Sequence, residues 1–177
     1  MRGEIGVNSV EGQGSTFWFR VTLSKGVSMQ NKISTHTPLL IKPGHEMAKV
    51  LIADDVAINR LVATKQLEKL GFRADAVANG FEVLKALEDI PYDLILMDCR
   101  MPELDGYRTT KAIRESSVPR IRDVVIIAMT ANALVSDKDE CLNAGMNDYI
   151  SKPVSVTGLE LVLSRWIDKI HQAKKNT

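Results

Sequence analysis

A strong excess of charge of one sign is absent from this chain. Its 177 residues carry 23 Lys and Arg against 22 Asp and Glu, a net charge of +1. Bulk charge therefore gives no reason to bind nucleic acid or an acidic partner. Long apolar runs are missing as well. None approaches the roughly 18 residues a membrane helix needs, and the N-terminus has no signal-peptide core. Cysteine is scarce: Cys99 and Cys141 stand alone, with no CxxC pair and no Cys/His metal spacing. That usage fits a reduced, cytoplasmic setting. What remains is a soluble globular balance, 45% hydrophobic and 25% charged, long enough for one ordinary domain plus an appendage.

Three zones differ in texture. Residues 1–24 carry two β-like runs, Glu4 to Ser9 and Thr16 to Leu23, around the turn Glu11-Gly12-Gln13-Gly14. A hairpin alone buries too little to order except by packing on something else. Residues 25–48, with Pro38, Pro43 and Gly44, read as a linker. From Lys49 strand and helix alternate. Strands are expected at Val50 to Ala53, Arg73 to Val77, Asp93 to Met97, Val124 to Met129 and Tyr149-Ile150. Helices are expected at Val56 to Leu70, Gly80 to Glu88, Gly106 to Glu115, Leu134 to Ala144 and Thr157 to Ile170, leaving 172–177 as a tail. Gly71 and Gly145 supply helix stops, and Asn79 and Asp105 supply N-caps. Five βα units in a row predict an α/β fold with a doubly wound, five-stranded parallel sheet of order 2-1-3-4-5. Its crevice lies outside the carboxyl ends of the strands, where strand order reverses between the first and third.

The chemistry gathers at those ends. LIADD closes on Asp54 and Asp55, DLILMDCRMP carries Asp98, VVIIAMTA carries Thr130, and YISKP carries Lys152. Parallel strands put all of them on one rim. Two unit charges about 4 Å apart repel by roughly 4 kcal/mol at an effective dielectric near 20. Three crowded carboxylates therefore need a raised pKa or a cation. Hard oxygen ligands with room for water and phosphate oxygens suit Mg²⁺. Asp98, central on the rim, is the candidate nucleophile for an acyl phosphate. The loop Cys99-Arg100-Met101-Pro102 brings a backbone carbonyl within reach of the metal. Lys152 would pair with a phosphate oxygen as a point charge, and the Thr130 hydroxyl would meet another.

With those residues in place, residues 49 to about 170 resemble the receiver domain of two-component response regulators. The matching pieces are Asp54-Asp55, MDCRMPELDG around Asp98, Thr130-Ala131 and Lys152-Pro153. The resemblance implies that Asp98 accepts a phosphoryl group. It places Asp55 on Mg²⁺ directly, Asp54 through water, and the Arg100 carbonyl as a further ligand. It also implies that Thr130 and Tyr149 form a switch pair and that the Lys152-Pro153 bond is cis. MRGEIGVNSVEGQGSTFWFRVTL is similar to the end of a histidine-kinase ATP-binding domain, where a glycine pair opens the last hairpin. Arg2 stands where that family has the first glycine. A receiver after such a tail is the layout of a hybrid histidine kinase, whose parent chain would be membrane-anchored. His36, His45 and His171 fit no phosphorylatable-histidine helix, so no kinase activity is expected of this chain alone.

Partners follow from the first helix. Ala63, Leu67 and Leu70 share the side expected to face the sheet, while Ile58 and Leu61 fall on roughly the opposite side. An exposed apolar pair beside the rim suggests docking of a partner helix. The resemblance supplies a histidine phosphotransfer protein or the kinase's own dimerisation helices. Nucleic acid and membrane contacts are not expected, and a monomer is. Arg100 and Asn132 flank the acceptor, where they would admit or block an attacking water. Three other readings remain. A haloacid-dehalogenase-like phosphatase also uses Asp, Thr, Lys and Mg²⁺ but wants an acid where Arg100 stands. A flavin or nucleotide module would want a phosphate loop after the first strand. A degenerate receiver would act by binding only.

Overall fold

The computed structural model describes residues 3–21, 48–131 and 135–175. The chain divides into two compact units, Met1–His36 and Thr37–Thr177. Leu23, Arg2, His36, His45, Asn132 and nearly all of the expected linker lie outside the described residues.

The first unit is a hairpin of β1 (Gly3–Val10) and β2 (Gly14–Val21), paired antiparallel from Gly3↔Val21 to Val10↔Gly14. Its turn uses Gly12 and Gly14 at φ of 78° and 100°, a left-handed region that glycine enters without a Cβ penalty. Strand alternation stacks Ile5 across from Phe19 and Val7 across from Phe17. All four are exposed.

The second unit holds five parallel strands: β3 (Lys49–Ala53), β4 (Arg73–Val77), β5 (Leu94–Asp98), β6 (Val125–Thr130) and β7 (Asp148–Ser151). Their order is β4-β3-β5-β6-β7, the 2-1-3-4-5 arrangement expected from the sequence. Side chains alternate across the pleat. Val50, Ile52, Leu94, Leu96, Ile127 and Met129 enter the core under α1 (Ala57–Lys69) and α6 (Val156–Lys175). Leu51, Ala53, Ile95, Met97, Ile126 and Ala128 enter the other core. That layer is covered by α2 (Gly80–Asp89), α3 (Gly106–Arg114) and α5 (Val135–Asn143). Burial on both faces explains why the central strands β3, β5 and β6 read as apolar runs, whereas the edge strands β4 and β7 are mixed.

Local signals set the helix ends. Asn79 Oδ1 caps α2 by accepting from Glu82 N at 2.9 Å, while Glu82 Oε2 accepts from the N–H of Ala78, just before the cap, at 2.8 Å. Asp105 caps α3 through Arg108 N at 2.8 Å. Gly71 and Gly145 take φ of 84° and 99° after α1 and α5, as C-terminal glycines do.

Two features depart from the sequence reading. A single turn, α4 (Pro119–Arg122), intervenes before β6, opened by Pro119 at a position where no N–H is needed. The helix α6 continues to Lys175 rather than stopping at Ile170. Gln172, Ala173, Lys174 and Lys175 are good helix formers with no breaker among them, so the expected tail is helical that far.

Candidate functional site

The strand ends converge. Asp54 follows β3, Asp98 closes β5, Thr130 closes β6 and Lys152 follows β7. Because β3 and β5 are neighbours, with Ala53 beside Met97, Asp54, Asp55 and Asp98 meet. One carboxylate oxygen from each lies within 4.8 Å of the others. Asp54 is 1% exposed and Asp98 6%, whereas Asp55 is exposed.

Lys152 bridges the buried pair. Its Nζ lies 2.6 Å from Asp54 Oδ2 and 2.7 Å from Asp98 Oδ2. Burial raises the Asp98 carboxyl above its ordinary value. The hydrogen bonds from Lys152 and the Arg100 N–H pull it back, and the Asp54 charge adds to the rise. Burial alone would lower the Lys152 ammonium, but the bonds and charges of Asp54 and Asp98 overcome that and hold it raised.

The backbone locks these ends together. Lys152 N donates to Thr130 O at 2.7 Å and Cys99 N to Met129 O at 3.3 Å. The Lys152-Pro153 bond is cis, as the resemblance implied. Arg100 is exposed, and its N–H reaches Asp98 Oδ1 at 3.2 Å. Thr130 is buried, and Tyr149 on the next strand is half-buried with Lys138 Nζ 5.3 Å from its ring centroid. Gly106 opens α3 against the acceptor strand. A Cβ there would overlap the Asp98 carbonyl oxygen, so only glycine lets this helix approach so closely.

Two site residues were missed in the sequence. Asn59 Nδ2 donates to Asp54 Oδ1 and Oδ2 at 3.1 and 3.3 Å. Arg60 Nη1 donates to the carbonyls of Asp54 and Asp55 at 2.6 and 3.0 Å. Their signal was positional. Helical side chains lean toward the N-terminus, so polar residues in the opening turns of a helix that follows an acid pair hang back over that pair. Asp55 itself does not cap α1. The N-cap is Val56, whose N–H is received by Asp54 Oδ1 at 2.9 Å.

The donor set fits a hard divalent cation. Three carboxylates face one ammonium, and every donor is oxygen. Asp54 already receives Val56 N, Asn59 and Lys152. The Asp55 carboxylate has no hydrogen bond or ion pair among the described residues, which leaves its oxygens for a metal.

Residues 50–164 match the response regulator receiver domain family. The chain belongs to that family. A hybrid signal transduction histidine kinase K of Dictyostelium discoideum is 42% identical over 178 residues, covering 95% of this chain and 14% of that protein. Such coverage leaves about nine of the 177 residues out, so the similarity to that kinase extends beyond the receiver match at 50–164 and into the hairpin. The chain thus spans a small fraction of the length of the curated relatives it matches. Among solved receivers, that of a Pseudomonas aeruginosa sensor histidine kinase, with magnesium coordinated in its active-site cleft, is 44% identical at a TM-score of 0.63. It covers 70% of this chain and 99% of that one. The Saccharomyces cerevisiae Ssk1 receiver, solved with the histidine phosphotransfer protein Ypd1, is 30% identical at a TM-score of 0.62, covering 68% and 88%. No helix among the described residues is long and apolar enough to cross a membrane.

Proposed function

We propose that this chain is the receiver-bearing part of a hybrid histidine kinase. It accepts a phosphoryl group from phosphohistidine onto Asp98 and passes it to a histidine phosphotransfer protein. The observation that carries this reading is the buried Asp98 carboxylate held between Lys152 and two further acids at the reversal point of the sheet.

Transfer needs an ionised nucleophile and a sink for the charge on the moving group. A carboxylate oxygen of Asp98 attacks phosphorus as the donor's P–N bond breaks, and charge spreads over the three equatorial oxygens. Mg²⁺ held by Asp55 and Asp98, by Asp54 through water and by the Arg100 carbonyl would neutralise that charge. The complete set of donors already on Asp54 supports its indirect role. Lys152 shifts from Asp98 Oδ2 to a phosphoryl oxygen and so stabilises the product. Thr130 meets another phosphoryl oxygen, and Tyr149 follows inward. Their neighbouring strands support that pairing, since Thr130 lies beside Ser151, two residues past Tyr149.

The transfer partner docks on α1. Ile58 and Leu61 are 61% and 54% exposed, next to the rim, with Val56 and Val62 also exposed. The kinase's own dimerisation helices would use the same face as phosphodonor. The hairpin is read as the end of the ATP-binding domain, supported by a similarity to a hybrid histidine kinase that reaches into it. Arg100 stands where a haloacid-dehalogenase-type phosphatase would need an acid, which disfavours that chemistry.

Acetyl phosphate with Mg²⁺, followed by intact mass, tests the assignment. Wild type is expected to gain one phosphoryl group, lost with Mg²⁺ chelation and in Asp98→Ala. Incorporation that survives the substitution would overturn it.

A further inference from the structure

Asp55 is the site carboxylate without a side-chain partner among the described residues, yet a metal ligand must be aimed. Its direction is set by its backbone. The carbonyl of Asp54 belongs to the peptide group before the Asp55 Cα, and the carbonyl of Asp55 to the peptide group after it. One guanidinium nitrogen, Arg60 Nη1, holds both, at 2.6 and 3.0 Å. The second peptide group is pinned at its other end too, since Val56 N donates to Asp54 Oδ1 at 2.9 Å. Both dihedrals of Asp55 are thereby restrained, and with them the Cα–Cβ bond that carries the carboxylate.

The place of Arg60 argues for a local task. It is the fourth residue of α1, and the first turn of that helix has no acidic side chain. A cation near a helix N-terminus opposes the macrodipole. Arg60 forms no ion pair among the described residues, so its charge is met by the two carbonyls alone. From the charge alone, a guanidinium beside three acids would weaken cation binding.

We infer that Arg60 is a positioning residue of the metal site, aiming the Asp55 carboxylate at the ion by clamping the two peptide groups that flank it. This rests on the receiver reading above. Asn59 complements it by occupying Asp54, which leaves Asp55 as the acid free for direct ligation.

The two possible roles of Arg60 have opposite signs, and titration separates them. The full chain is titrated calorimetrically with MgCl₂ as wild type, Arg60→Met, Arg60→Gln and Asp55→Asn. Loss of an orienting partner around a metal ligand costs about 10-fold or more in affinity. Both Arg60 variants are expected to bind Mg²⁺ about 10-fold more weakly. Phosphorylation of Asp98 by acetyl phosphate should need about 10-fold more Mg²⁺ in both Arg60 variants. Arg60→Gln keeps a donor and decides the matter if Arg60→Met fails to fold. Affinity equal to or tighter than wild type in the folded Arg60 variants, while Asp55→Asn loses binding, overturns the inference alone. Unchanged binding in Asp55→Asn overturns the metal assignment beneath it.

Discussion

Asp98 carries a conflict between stability and function at the level of one residue. Its folded-state pKa is raised, first by burial and then by the Asp54 charge, against the pull of Lys152 and Arg100 N. A raised carboxyl stabilises the fold fully only below its ordinary value of 3.8, and the contribution is lost as pH rises through the folded value. At neutral pH with chelator present, Asp98→Asn is therefore expected to raise the melting temperature. A gain on the order of 1 kcal/mol is about 2–4 °C for a chain of this size. The gain should shrink as pH falls through the raised folded value and vanish only below 3.8, where Asp98 is protonated in both states; a gain independent of pH would contradict the cause given. Cys99 offers a second residue-scale test. Burial, and after it the Cys141 charge, pushes its thiol up to about 12. Both cysteines are buried, with their Sγ atoms 3.6 Å apart. A buried, protonated thiol is a poor nucleophile. At pH 8 a thiol reagent should find no fast-reacting cysteine in the native chain and two after denaturation. The acids and Lys152 were legible because they close separate apolar runs whose carboxyl ends a parallel sheet puts on one rim. Asn59 and Arg60 were not, because polar residues on a helix are ordinary until the helix is placed over the acid pair.

The helix α1 illustrates how one element serves two surfaces. Its buried side holds Ala63 and Leu67, with Leu70 buried at its C-cap, as the 3.6-residue period predicted, and its opposite side leaves Ile58 and Leu61 exposed. Leu67→Ala should cost about 2–5 kcal/mol in denaturant unfolding, the range for emptying a packed site. Ile58→Glu should leave that stability unchanged and slow phosphotransfer to the partner, with acetyl phosphate labelling intact. Unchanged transfer would remove α1 from the docking surface. The opening of α3 depends on one glycine in the same way. Gly106→Ala would force the helix away from the Asp98 carbonyl, so both stability and phosphorylation should fall. Helix and strand periods were legible because each strand or helix repeats its pattern over several residues. The single turn α4 was not. Arg120 of the turn donates to the carbonyls of Leu87 and Glu88, more than 30 residues away, and Arg114 of α3 donates to the Arg122 carbonyl, so contacts outside the turn's own sequence support it.

For the whole molecule, metal and fold are linked. A cation that binds the folded chain at about 100 times its Kd adds about 2.7 kcal/mol. Mg²⁺ should raise the melting temperature of wild type, EDTA should reverse it, and Asp55→Asn should abolish it. No shift in wild type would contradict the metal assignment. The topology came from the sequence because five βα repeats joined by right-handed crossovers leave few arrangements open, and parallel strands put every carboxyl end on one side. Residue type and periodicity thus determined the parallel fold, the rim and the acids upon it, since those follow from local pattern and handedness. Distances were decided only by the tertiary structure: Lys152 lying between Asp54 and Asp98, Asn59 on Asp54, and Arg60 on the peptides around Asp55. These contacts depend on how α1 and β7 sit over the rim, and packing across the whole sheet sets that.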